Sequence, residues 1–194
     1  VNRVVVSSTA IGKQLKDKLV KTSGAQIGDA IIITKSAGLE GTGIIGYEKE
    51  DELLSFLSAD EIMTCKAMLD KVSVVPEGVI CGEFGVTSMH DVTEGGILGA
   101  LWEVCQASQT GCEIVENHIL IKDVTQKICT YYKIDPLKLI SSGTMLITVN
   151  GKKCDALVAL LNEKGIEASQ IGTVKEQGFG LKFKDDKKEI ESPG

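Results

Sequence analysis

The sequence predicts an α+β domain of layered α/β type, with a mixed β-sheet packed with helices. Three observations carry this. Short runs rich in Val, Ile and Thr alternate along the chain with stretches of helical periodicity. The alternation lacks the strict spacing of repeated βαβ units, which points to a mixed sheet rather than an all-parallel one. Of the 194 residues, 43% are hydrophobic, enough for one well-cored domain, and no internal repeat or low-complexity segment interrupts them.

Taken in order, the valine-rich run Val4–Thr9 reads as a strand. Lys13–Lys21 reads equally as a short helix or a connector. Ala30–Lys35 is almost wholly apolar, as in a strand covered on both faces. Glycines 38, 41, 43 and 46 predict a loop that enters a helix over Ile44–Phe56. Ser58-Ala59-Asp60-Glu61 matches a capping box, and Ile62, Cys65, Met68, Leu69 and Val72 follow it on a helix with one buried side. Val74–Gly78, with Pro76, reads as a turn, and Gly85–Met89 as a strand. Behind it Ile97, Leu98, Leu101, Trp102, Val104 and Cys105 form a core-facing helical stripe that ends before Gly111. Cys112–Val115 is a short strand and Asp123–Tyr132 an amphipathic helix. Asp135-Pro136 begins a turn, with Pro136 suited to a helix's first position. Thr144–Val149 is a strand, Cys154–Glu163 a helix closed by Gly165, and Ile166–Val174 and Gly180–Phe183 complete the sheet. The domain is expected over 1–184, with a charged, frayed tail over 185–194.

The densest chemistry lies in Met89-His90-Asp91-Val92-Thr93-Glu94-Gly95-Gly96, between strand and helix. His90 suits proton transfer or phosphate positioning, or a hydrogen bond at a strand end. Asp91 and Thr93 are good helix N-caps. Gly95 and Gly96 allow close approach to the backbone, and a helix start attracts anions. Asp91 and Glu94 would repel a phosphate unless a cation intervenes. Gly41-Thr42-Gly43-Ile44-Ile45-Gly46 matches G-x-G-x-x-G after a strand, which opens a dinucleotide-binding alternative through Gly41, Gly43 and Gly46. That alternative needs an acidic residue at a second strand's end, whereas Asp60 and Glu61 open a helix. A backbone turn lining the motif's groove, with Glu40 as its charged group, fits better.

The bulk numbers narrow the classes. The net charge is −6 and Arg3 is the only arginine, which argues against nucleic-acid binding and against arginine forks at a phosphate site. Mean hydropathy is +0.10, no apolar run reaches membrane-spanning length, and no targeting leader is visible. Six cysteines without a C-x-x-C pair, and two histidines, predict free buried thiols in a reducing cytosol and no metal site of the chain's own. Cys81 carries no mark of a nucleophile, and His118 reads as a surface turn residue.

His90-Asp91-x-Thr93-Glu94-Gly95-Gly96 and its helix resemble the signature of the AIR synthase-related superfamily, in its C-terminal domain. Gly28–Lys35 is similar to that family's glycine–aspartate strand, Ala37–Ile44 to the loop after it, and Ser142–Val149 and Ile171–Val174 to its late strands. The resemblance runs from Val4 to Phe183 and is nearest to HypE-like proteins. It implies an ATP- and Mg-using enzyme that activates a substrate oxygen by phosphoryl transfer. It implies His90, Asp91 and Glu94 as catalytic residues. Thr93, Gly95, Gly96, Glu40, Gly41 and Gly43 would contact substrate or phosphate. Val1 is not Met and the chain opens inside a strand pattern. By resemblance it therefore reads as the C-terminal domain of a longer cytoplasmic homodimer, whose other domain carries most ATP ligands. Alone it is expected not to turn over. HypE-like proteins end in a cysteine that receives a carbamoyl group, with a protein acceptor, whereas this chain ends Glu189–Gly194 without one. A non-catalytic module sensing a phosphorylated metabolite is the alternative of another class.

Overall fold

The computed structural model describes residues 4, 6–9, 11–15, 18–185 and 188–191. Among the described residues six strands form one sheet: β1 (Asp29–Thr34), β2 (Ser88–Asp91), β3 (Thr110–Ile114), β4 (Met145–Asn150), β5 (Ala168–Glu176) and β6 (Leu181–Phe183), in the order β2-β4-β1-β5-β3-β6. Neighbours are antiparallel except β3 and β6, so the sheet is mixed, as expected. The helices are α1 (Leu39–Glu48), α2 (Glu50–Leu53), α3 (Ala59–Ala67), α4 (Val75–Phe84), α5 (Gly96–Ser108), α6 (Asp123–Tyr132) and α7 (Cys154–Glu163).

Strand alternation divides the core. Ile31 and Ile33 of β1 face α5, joining Ile97, Leu101, Val104, Ile114, Ile171 and Phe183. Ala30 and Ile32 face the opposite side, with Cys81 of α4 and Leu157 and Leu161 of α7. All six residues of β1 are buried, which is why its sequence is apolar without alternation. A third cluster joins α1, α3 and α6 through Leu39, Leu53, Ile62, Cys65, Met68 and Ile128.

Several expectations change. Residues 4 and 6–9 of the predicted first strand are not in a strand, and Val5 lies outside the described residues. The glycine loop before Ile44 is itself helix: α1 starts at Leu39, five residues earlier than predicted. Its glycines are required by neighbours. A Cβ on Gly41 would come within 2.5 Å of Leu139, on Gly43 within 2.5 Å of Leu69, and on Gly46 within 2.8 Å of the Cys65 Cβ. Close packing offsets their low helix propensity. Pro76 does not make a turn but stands in the first turn of α4, where its missing N–H costs nothing. Pro136 lies in a turn with no helix after it. Trp102 is half-buried on the flank of α5 rather than in its core stripe. The tail is not frayed where it is described: Phe183 N–H donates to Lys188 O at 3.0 Å, Ile190 N–H to Leu181 O at 2.8 Å, and Ile190 is buried in the α5-side core. The capping box, α6 and α7 stand where the sequence put them.

Candidate functional site

Because β1 and β2 are both antiparallel to β4, they are parallel to each other, and their C-terminal ends lie at one end of the sheet. Each then turns into a helix, β1 into α1 and β2 into α5. The segment 137–144, which leads into β4, threads between these two turns. On one side it meets the β1–α1 turn. Gly41 N–H donates to Ile140 O (3.0 Å), Gly38 N–H to Ser141 Oγ (2.6 Å), and Thr144 Oγ1 to Ser36 O (2.8 Å). On the other it meets the β2–α5 turn, through Val92 N–H to Thr144 O (2.9 Å) and Leu98 N–H to Leu137 O (3.2 Å). The His90–Gly96 motif and the glycine-rich start of α1 therefore share this end of the sheet.

The close approach that Gly96 permits is made by the chain itself. A Cβ there would lie 2.4 Å from Leu137 O and 2.8 Å from Leu139 O. Gly95, with φ 80°, is the N-cap of α5, and no side chain caps the helix. Asp91 and Thr93 are therefore not caps, a correction with a physical reason: β2 extends to Asp91, leaving the cap four residues further on. Among the first amides of α5, Gly96 N–H goes to Thr93 O, Leu98 N–H to Leu137 O and Gly99 N–H to Gly95 O. The helix start is largely satisfied within the chain, and the expected anion cradle is correspondingly small.

The structure separates His90 from Asp91. His90 is half-buried and both ring nitrogens are engaged, Nδ1 with Thr22 Oγ1 at 3.1 Å and Nε2 with Glu103 Oε2 of α5 at 2.7 Å. Its ring lies on the α5 side. Asp91, next along the strand, projects to the opposite side and is exposed. The two do not share a proton path. Among the described residues neither Asp91 nor Glu94 makes a side-chain hydrogen bond or ion pair, and Glu94 is exposed. Thr93 is half-buried. Glu40, in the first turn of α1, keeps one enclosed oxygen, Oε2, without a hydrogen-bond partner among the described residues. Gly41 and Gly96 both press on the 137–139 stretch, so the two glycine-rich motifs frame one end of the sheet.

The dinucleotide reading is overturned. Its glycines lie inside α1, packed on Leu139, Leu69 and Cys65, so none offers backbone to a pyrophosphate. Among the described residues no group of three or more His, Cys, Asp or Glu could hold a metal ion, and no helix is long and apolar enough to cross a membrane. All six cysteines are buried and free. Burial, then the Glu77 charge, pushes the Cys81 thiol up to about 12, the reverse of an activated nucleophile. His118 is exposed on a 3₁₀ turn and its Nδ1 contacts Gln170 O at 3.1 Å, as a surface turn residue. Sequence reasoning missed Thr22 and Glu103, the partners of His90, and Lys35 with Glu77. Glu103 follows Trp102 on the polar flank of α5, and nothing in the spacing ties it to His90.

The fold and this end of the sheet define a layered α+β domain in which two helices with glycine N-caps follow two parallel strands, with Asp91 and Glu94 exposed between β2 and α5. A family model described as AIR synthase related protein, C-terminal domain, matches residues 26–184, and the chain belongs to this family. It is 27% identical over 187 residues to a putative hydrogenase expression/formation protein of Methanocaldococcus jannaschii, covering 93% of this chain and 52% of that protein. It is 30% identical over 173 residues to carbamoyl dehydratase HypE of Rhizobium leguminosarum bv. viciae, covering 88% and 47%. A crystal structure of hydrogenase maturation protein HypE in complex with ATP shares its fold, with a TM-score of 0.68 and 21% identity over 93% of this chain and 55% of that one. The chain spans about half the length of the curated relatives it matches.

Proposed function

We propose that this chain forms one wall of the site of a HypE-like, ATP-dependent enzyme that activates a substrate oxygen by phosphoryl transfer. The observation that carries the reading is that Asp91, at the end of β2, and Glu94, in the turn before α5, are exposed carboxylates without a side-chain partner among the described residues. Free carboxylates beside a phosphate repel it unless a cation bridges them. Mg²⁺ is ordinarily held by one or two carboxylates with the remaining ligands from phosphates and water. Two carboxylates without a complete metal cluster fit that division, and the fit extends to ATP bound mainly by another part of the protein.

Asp91 and Glu94 would then face the metal–nucleotide or the attacking oxygen, with the Thr93 hydroxyl and Gly95 backbone close to phosphate. His90 positions rather than attacks: clasped by Thr22 and Glu103, it fixes the edge strand against α5, and with it the direction of Asp91. Glu40 borders the same end from the β1 side. Phosphoryl transfer depends mostly on positioning and electrostatics, which such a wall supplies.

The test is calorimetry with Mg·ATP and turnover in a chain extended to the relatives' full length. The domain alone is expected to give little heat. In the extended protein Asp91→Asn and Glu94→Gln each lower ATP-dependent turnover by about 10²-fold or more, with circular dichroism unchanged. Turnover insensitive to both substitutions sinks the reading, and tight Mg·ATP binding by this chain alone sinks the shared-wall part of it.

A further inference from the structure

Lys35 follows β1 with φ 56°, a left-handed conformation that residues with a Cβ avoid. Its ammonium is enclosed by oxygen. Nζ lies 3.0 Å from Lys71 O, 2.8 Å from Ser73 O, 2.8 Å from Gly143 O and 2.8 Å from Glu77 Oε1. An ammonium has three N–H donors, and the three carbonyls take them. Glu77 therefore contributes charge without an aligned hydrogen bond, and its second oxygen has no partner among the described residues. Glu77 is fully buried at 0% exposure, where a carboxylate without a counter-charge is strongly disfavoured.

This is a preformed cage for a single positive charge. Three backbone carbonyls at 2.8–3.0 Å resemble the carbonyl rings that replace the hydration shell of potassium, an ion close to ammonium in size. Mg²⁺ needs six oxygens at about 2.0–2.1 Å, well inside these distances. The cage is also stiff. A Cβ on Gly143 would lie 2.7 Å from Lys71 O and 2.8 Å from the Val72 Cα, so the 71–73 backbone already rests on Gly143 and has no room to collapse inward. Lys35 also borders a cleft of about 780 Å³, which gives ions a route in.

We propose that this cage is a monovalent-cation site of potassium size, which the chain fills with its own Lys35 ammonium. The tethered cation joins the β1–α1 turn, the segment connecting α3 to α4, and the residues just before β4, and so positions the end of the sheet that carries the candidate site.

Lys35→Gly tests it, because glycine accepts the left-handed backbone while removing the charge. Thermal midpoints are measured in choline, sodium, potassium and methylammonium chlorides at equal ionic strength. The wild-type chain is expected to melt alike in all four. Lys35→Gly should lose several degrees in choline and regain more than half of that loss in potassium or methylammonium, with sodium weaker. Adding Glu77→Gln should abolish the potassium gain, and thallium-205 NMR should show a bound signal in Lys35→Gly that potassium displaces. A Lys35→Gly chain that melts alike in all salts overturns the proposal. So does one that fails to fold even in potassium, because an exchangeable ion then cannot replace the tethered one.

Discussion

A glycine is required either by its own backbone or by what stands beside it, and Gly28 and Gly96 separate these causes. Both have positive φ, 89° and 60°, but a Cβ on Gly28 meets nothing within 4 Å among the described residues, while one on Gly96 strikes two backbone carbonyls. Gly28→Ala should therefore cost only the left-handed strain, about 1–2 kcal/mol. Gly96→Ala adds an overlap with backbone that cannot rotate away, and should cost about 3 kcal/mol or more. Urea denaturation of the two variants checks this, and equal losses would contradict the packing role of Gly96. Part of this was legible from sequence: Gly96, one of the motif's two glycines, does mark a close approach. The approaching group was not legible, because Leu137 stands 41 positions beyond Gly96 and contributes only its carbonyl. The same holds for His90, whose partner Thr22 is 68 positions away.

At the scale of elements, the capping box shows what local sequence can specify. Ser58 Oγ accepts from Glu61 N–H at 3.3 Å and the Glu61 carboxylate accepts from Ser58 N–H at 2.8 Å, all within four residues. Ser58→Ala should cost about 1 kcal/mol, or about 2–4 °C in Tm for a chain of this size. Glu61 also binds Lys127 of α6. This ion pair, with the Ser58 bonds, holds its carboxyl at about 2, below the usual 4.5. A depressed folded value means the contribution is full above about pH 4.5 and is lost as pH falls toward 2. Glu61→Gln should flatten the acid limb of stability in that window, read by denaturant midpoints against pH. The α1 glycines show the opposite case, where a local motif misleads. Gly43→Ala gains about 1 kcal/mol of helix propensity but forces a Cβ 2.5 Å from the Leu69 Cγ, a branch point rather than a free end. Overpacking of this kind costs about 1–3 kcal/mol, so a net loss is expected. G-x-G-x-x-G looked like a phosphate loop because spacing does not distinguish backbone offered to a ligand from backbone offered to another helix.

For the whole molecule, the strands from β1 onward and the two-sided burial of β1 were legible because hydrophobic pattern reports burial directly, whereas the valine-rich run at residues 4 and 6–9 has the pattern without a strand. How the chain closes was not, because the closing residue is a single isoleucine in a charged stretch. After β6 the chain turns back, Lys182 pairs with Glu189, and Ile190 enters the core formed by α5 and one face of the sheet. Its side chain is 6% exposed, beside Phe183 at 5%. One apolar residue among Lys188, Glu189 and Glu191 gives no periodicity, and composition alone reads the segment as solvated. Ile190→Ala should leave a cavity at the end of the α5-side core and cost about 2–4 kcal/mol. Glu191→Ala, one residue on and exposed, should change stability by no more than about 0.5 kcal/mol. Chemical denaturation of the pair decides the matter: comparable small losses would return the segment to a solvated tail. A large loss at Ile190 alone would show that the 188–191 segment packs against the core beside the sheet's β6 edge, and that removing it uncovers both that edge and the core behind it.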